Sequence, residues 1–410
     1  MSNDKYPNLD FSEIENKVVN AFNEFDLAGK RILAVIPDNT RTAPIDIMFR
    51  LFYRHYIKNV KTLDFMVALG THPLLNMDQK LKRIGVTLKD YNELYSEIKI
   101  MNHRWDIPET FIKIGSLSKG EISELTSGIL NEGVDITINR TIFNYDKLLI
   151  LGPVFPHEIA GFSGSNKYLF PGIGGWDFID TTHWLGALVT NMNIIGIKDT
   201  PVRRLIDKAR DFIDMDIVYF NIVMHKSDIK GLFIGNNRSA WEKAVELSSK
   251  LNIQYIDKPI KNVLSIPSEK YDDFWTASKG VYKLEPIVED GGDIIVYAPN
   301  VKEFSYTHGK VIDRVGFHIK DYFLANFDRF KNEPPTVLAH CALVKGQGEY
   351  RNSVEYPRIN IHLSTAIDKE RCKKVNLGYI NPKKIDVEKY KNNYDYFVVE
   401  NAGEILYRLS

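Results

Sequence analysis

Residues 147–183 read KLLILGPVFPHEIAGFSGSNKYLFPGIGGWDFIDTTH, and the fold turns on them. Lys147 to Gly152 form a short apolar run ended by Gly152-Pro153, the pattern of a strand buried on both faces. His157 therefore leaves the carboxyl end of a strand, which is the edge at which open α/β sheets bind ligands. Glycines 161, 164, 172, 174 and 175 permit positive φ or close approach of backbone to a ligand. Lys167 among them adds a cation and an amine nucleophile, and His183 closes the stretch. Such a segment suits a flat, anionic group.

Two earlier strands repeat the arrangement. Arg31 to Ile36 is apolar and runs into Pro37-Asp38-Asn39-Thr40-Arg41-Thr42-Ala43-Pro44, followed by the helix-like 45–57. Thr62 to Leu69 runs into Gly70-Thr71-His72-Pro73, before a helix near Asn76 with Gln79 placed for a capping box. Three strands thus deliver polar clusters at their carboxyl ends: Asp38/Thr40/Arg41, Thr71/His72 and His157. One strand-end histidine is ordinary, but convergent clusters are hard to explain by packing alone.

A chain of 410 residues exceeds one ordinary core, so two domains are expected. We read an α/β fold of two α/β domains with an active-site cleft between them. The first spans 1–258 and carries the clusters above; the second spans 259–392 and closes over the site; the tail 393–410 returns to the first domain. Within them, 86–145 reads as a β-rich insertion, 216–224 and 231–235 as a hairpin, and 272–288 and 312–330 as helices. Strands are expected at 293–297, 336–344 and 358–363.

Basic and acidic residues balance at 53 each, which leaves no electrostatic footprint for nucleic acid or an anionic membrane. No apolar run approaches the roughly 20 residues that span a bilayer. The acidic, polar start lacks a secretion pattern, and two cysteines, Cys341 and Cys372, suit a reducing compartment. A cytoplasmic protein is expected, with small molecules rather than nucleic acid or membrane as partners.

The spacing excludes several chemistries. His157 and His183 are 26 apart without partners at i+4, unlike a helical zinc protease site; Lys167 is not followed by Ser or Thr, as a P-loop requires; and Gly161-Phe-Ser163-Gly164 lacks the nucleophile-elbow spacing. What remains is His72 and His157, able to serve as an acid/base pair near neutral pH, with Arg41 as a fork for a carboxylate or phosphate. That set suits a racemase or epimerase of a small acid.

Asp38-Asn-Thr-Arg41-Thr-Ala-Pro44, Gly70-Thr-His72-Pro73, and His157-Glu-Ile-Ala-Gly-Phe-Ser163-Gly164-Ser-Asn-Lys167 with His183 resemble the lactate racemase family of nickel-pincer-nucleotide enzymes. The resemblance implies a 2-hydroxy acid racemase or epimerase working by reversible hydride transfer. By its pattern Lys167 carries the pyridinium-3-thioamide-5-thiocarboxylic acid mononucleotide covalently, and His183 ligates the nickel. His72 and His157 are then the acid/base pair and Arg41 orients the substrate carboxylate, while Asp38, Asn39, Thr40, Ser163 and Gly164 hold cofactor or substrate. Cofactor-assembly enzymes are implied as partners. The second-domain motif, aromatic-glutamine-x-x-lysine, stands here as Trp275-Thr276-Ala-Ser-Lys279. Lys279 is kept as a contact, and the changed Trp275 and Thr276 point to a 2-hydroxy acid other than lactate.

Blander readings compete. Arg41 has Asp38 and Asp46 nearby in sequence for a local ion pair, Lys167 is also read as a surface lysine, and Trp275 with Lys279 as helix-face packing. His308 and His340 are read as structural or solvated. A non-catalytic nucleotide or carboxylate binder on the same scaffold is the alternative function, and a metal-dependent hydrolase is a third.

Overall fold

In the computed structural model, which describes residues 6–410, the chain is mixed α/β and divides into two compact units. One takes the chain up to Phe155 with Phe162–Ile179 and Arg203–Leu251; the other takes Pro156–Gly161, Asp180–Val202 and Asn252–Ser410. The chain thus passes between units four times within 156–251 and at Asn252, rather than once near residue 258.

The first unit contains β1 (Arg31–Pro37), β2 (Thr62–Ala68), β3 (Ile100–Asn102), β4 (Phe111–Leu117), β5 (Val134–Asn139) and β6 (Lys147–Pro153). Short β7 (Pro156–His157) and β8 (Gly161–Phe162) follow, then β9 (Asp216–His225) and β10 (Asp228–Gly235). Six of these form one sheet in the order β10-β9-β6-β1-β2-β3, parallel except for the β9–β10 hairpin. The apolar runs of β1 and β6 are buried from their second residue to their end, as expected of strands covered on both faces. Helix Ile45–Tyr56 lays Met48, Phe49, Phe52 and Tyr56 into the core beneath them, each such side chain contributing about 1.5–3 kcal/mol by leaving water. The helix Met77–Ile84 starts at the expected Asn76–Gln79 capping box and stops at Gly85, which is left-handed. Of the 86–145 insertion, β3 joins the main sheet edge and β4–β5 form a separate antiparallel pair.

The second unit holds β11 (Ile253–Ile256), β12 (Ile260–Pro267), β13 (Val288–Ala298), β14 (Gly348–Arg351), β15 (Val354–Pro357), β16 (Asn360–Thr365), β17 (Gly378–Tyr379), β18 (Tyr396–Ala402) and β19 (Leu406–Leu409). Its main sheet is parallel throughout, in the order β17-β16-β13-β12-β18. The tail does not return to the first unit's sheet: β18 pairs with β12 and β19 with β11, because Phe397, Val398 and Val399 complete the ladder beside Val263, Leu264 and Ser265.

Two further expectations are corrected. The stretch expected as a strand at 336–344 is the helix Pro335–Lys345, buried from Thr336 onward; an apolar segment covered on all sides carries no period that separates strand from helix. The expected helices at 272–288 and 312–330 are broken. The first becomes Phe274–Ala277, Lys279–Tyr282 and a 3₁₀ turn at Pro286; the second breaks at Gly316, whose φ is +72°.

Candidate functional site

In the first unit, β1 and β2 are neighbours in register, Pro37 opposite Ala68, so the loops after them rise from adjacent strand ends. That register brings Asp38 and His72 together. Asp38 is 5% exposed; its Oδ1 accepts from the Thr40 amide at 3.1 Å and hydroxyl at 2.7 Å. Its Oδ2 makes a very short hydrogen bond to His72 Nδ1. Burial alone raises the Asp38 pKa, but the charge and hydrogen bond of His72, with Arg41 and Thr40, outweigh it and hold the carboxyl well below its usual range. An ionised carboxylate can only accept, so His72 Nδ1 is the donor, and in the neutral ring Nε2 is then the bare nitrogen. Its carbonyl accepts from Trp105 Nε1 at 2.7 Å, fixing the backbone behind the ring.

Arg41 forms no ion pair with Asp38 or Asp46 among the described residues; its guanidinium lies 5.3 Å from the Phe155 ring centroid. The local ion-pair reading therefore gives way to a cation held on an aromatic face beside the Asp38–His72 pair. Asn39 is exposed. Lys167 lies on the short turn Ser165–Tyr168, half-buried, reached through Gly164 at φ +86°. A Cβ at Gly164 would come within 2.5 Å of Val154 Cγ2. Ser163 is buried, with its hydroxyl donating to the Pro153 carbonyl at 2.7 Å and accepting from the Phe155 amide at 3.1 Å. It pins the loop to the end of β6.

Two first-unit residues escaped the sequence reading. Arg83 donates through Nε to the Pro37 carbonyl at 3.0 Å. Burial lowers its pKa against the opposing fields of Asp38 and Tyr168. Tyr168 has its own pKa pushed up by burial. Arg83 comes from a helix end far from any strand-end motif, so nothing local marked it.

In the second unit, His157 is 3% exposed. The Ile159 amide donates to its Nδ1 at 3.1 Å, so the neutral ring carries its proton on Nε2, the opposite tautomer to His72. His183 lies on the helix Trp176–Val189, half-buried. Lys279 is 6% exposed, its ammonium 4.8 Å from the Tyr271 ring centroid. It adds to the field of Lys270 and Lys283 that holds Glu404 ionised against burial. Thr276 is committed locally, its hydroxyl donating to Asp273 Oδ1 at 2.8 Å in a helix cap. Trp275 stacks on His340, centroids 3.8 Å apart and planes 12° apart, and meets His308 at 4.7 Å. His308 and His340, read from sequence as structural or solvated, thus belong to the cluster around Trp275. Among the described residues no group of three or more His, Cys, Asp or Glu is arranged to hold a metal, and no helix is long and apolar enough to cross a membrane.

Residues 13–195 match the family model described as the lactate racemase N-terminal domain. The lactate racemase of Thermoanaerobacterium thermosaccharolyticum is 24% identical over 275 residues, 66% of this chain and 60% of that protein. The lactate racemase of Lactiplantibacillus plantarum is 23% identical over 286 residues, with the same shares, 66% and 60%. The matched region therefore spans under two thirds of either relative. Among solved structures, a Thermotoga maritima protein is 30% identical with a TM-score of 0.91, covering 99% of this chain and 100% of its own. The lactate racemase apoprotein of T. thermosaccharolyticum shares the fold, with a TM-score of 0.72 at 19% identity over 96% of this chain and 93% of its own.

Proposed function

This chain belongs to the lactate racemase family, and on that premise we propose that it racemises or epimerises a 2-hydroxy acid other than lactate. The observation that carries the proposal is the hydrogen bonding of two imidazoles, one in each unit: His72 donates from Nδ1 to Asp38 and His157 accepts at Nδ1 from Ile159, which in the neutral rings leaves Nε2 bare on the first and protonated on the second. His72 takes the hydroxyl proton of one hand of the substrate, and the imidazolium that forms is stabilised by the Asp38 carboxylate. His157 serves the other hand, delivering a proton from its imidazolium form and returning to the neutral ring, and the reverse reaction exchanges the roles. Arg41 grips the substrate carboxylate with a planar fork, and Lys279 contributes a second cation.

The donor set fits the family's cofactor. With no protein cage of three or more ligands among the described residues, a nickel held by His183 needs its other donors from a non-protein group, and soft sulfur with imidazole suits that ion. Lys167 offers the amine for covalent attachment, Asp38, Asn39 and Thr40 lie on the adjoining loop, and Gly164 lets the chain turn tightly before Lys167. Bound there, the nickel-pincer nucleotide would supply a reversible acceptor for the C2 hydride. The enzymes that assemble it are the partners this reading requires.

The test is a panel of single-enantiomer 2-hydroxy acids incubated in D2O with protein made alongside the assembly enzymes. We expect the opposite enantiomer to appear with its C2 hydrogen retained, and intact-mass analysis to show an adduct on Lys167. Rapid deuterium entry at C2 would replace hydride transfer with a carbanion route. An adduct without turnover on any acid would leave a binder.

A further inference from the structure

Resting on that reading, we propose that His340, stacked on Trp275 with His308, is a specificity-determining residue that selects 2-hydroxy acids carrying a hydrogen-bonding oxygen beyond C2. His340 is 7% exposed on the helix Pro335–Lys345. Its Nδ1 shares a 2.9 Å hydrogen bond with the Tyr282 hydroxyl, whereas its Nε2 is buried with no hydrogen-bond partner among the described residues. Leaving such a group unsatisfied costs about 1–3 kcal/mol, a cost that a ligand atom would remove. Its ring is held rigidly, parallel to Trp275 on one side and 6.1 Å from Phe317, so Nε2 has a defined direction.

Burial above all, with repulsion from any charge on His308 or His183, holds the His340 ring neutral, so the cluster lies within electrostatic reach of His183. It is not a metal cage, since no three ligands converge among the described residues. Thr276, in the place of the motif's glutamine, has spent its hydroxyl on Asp273, so this part of the unit offers imidazole instead of amide. A substrate methyl would leave Nε2 unsatisfied. A hydroxyl both donates and accepts, and so satisfies Nε2 in either tautomer, while Trp275 offers an apolar face to the intervening carbons.

The experiment uses cofactor-loaded protein and two matched pairs differing by one hydroxyl, glycerate with lactate and 2,4-dihydroxybutanoate with 2-hydroxybutanoate. The wild-type kcat/KM should favour at least one hydroxylated acid by tenfold or more. His340→Phe, which keeps the stacked ring, should erase that preference mainly through KM, and His340→Gln, which keeps a polar tip, should restore much of it. An equal preference in wild type and His340→Phe, or a wild-type preference for both deoxy acids, overturns the proposal. A second readout is independent of turnover: the ¹⁵N shift of His340 Nε2 should move on adding a hydroxylated acid and not its deoxy partner. If the shift moves while no acid is racemised, the role of His340 stands and the racemase reading falls. If racemisation occurs and the shift is indifferent, the reverse holds.

Discussion

His103 shows what burial does to an imidazole held inside the first unit. It is fully buried, its Nδ1 3.0 Å from the Asn139 amide nitrogen. Burial, only partly opposed by a backbone hydrogen bond at Gly174 and the charge of Asp106, pushes its pKa down to about 4. Above the ordinary value near 6.5, folded and unfolded chains both keep the ring neutral. Between there and about 4 only the unfolded chain takes up the proton, so stability falls as pH drops, by up to about 1.4 kcal/mol per unit. Urea titrations from pH 7 to 4 should show this loss, and His103→Gln should flatten it; an unaltered slope would place the acid sensitivity elsewhere. His72 was easier to read because a strand, a glycine and a short polar loop announce it. His340 was not, because a histidine inside Val-Leu-Ala-His-Cys-Ala-Leu-Val looks like packing, and its unpartnered nitrogen exists only in three dimensions.

At the scale of elements, the glycine stretch depends on what the sheet leaves empty. A Cβ at Gly152, on β6, would meet the Tyr168 ring at 2.0 Å from Cε2 and 2.3 Å from Cζ. Tyr168 closes the turn that carries Lys167, so the missing methyl on the strand sets the seat of the loop. Gly152→Ala should therefore cost about 1–3 kcal/mol by overpacking and shift the Tyr168 ring. Gly120→Ala, in the helix Lys119–Leu125 with nothing within 4 Å, should instead stabilise by about 0.5–1 kcal/mol. Equal effects at the two sites in urea melts would mean that Tyr168 yields freely. The parallel strands of the first unit were legible because runs such as Leu148-Leu-Ile-Leu151 match a strand buried on both faces. The second unit's helices were not: the apparent helix at 272–288 is two four-residue pieces and a 3₁₀ turn at Pro286, and Gly316 breaks the other, so no periodicity could predict their lengths.

For the whole molecule, the order in which segments enter the units carries a consequence for its last residues. The second unit starts its main sheet at β12 and finishes it with β18, 129 residues after the end of β12 at Pro267 if counted to Tyr396. Such long-range parallel pairing is slow to form and leaves an open edge until it does. The same tail brings Glu404, whose carboxylate pairs with Lys270 and whose carbonyl accepts from Lys283 at 2.7 Å. It also places Gly403 where a Cβ would sit 2.9 Å from Lys279 Cβ. The tail is thus both an edge strand and a wall for Lys279. Deleting residues 394–410 should expose the edge of β12 and abolish slow hydrogen exchange at its amides, while amides of β1 and β6 in the first unit keep their protection. Val399→Asp, which places a charge at a position only 6% exposed, should give a weaker form of the same pattern without removing the ladder. Exchange at β12 that stays slow in both variants would show that the sheet's stability lies in β13 and β16, and that the tail serves Lys279 alone.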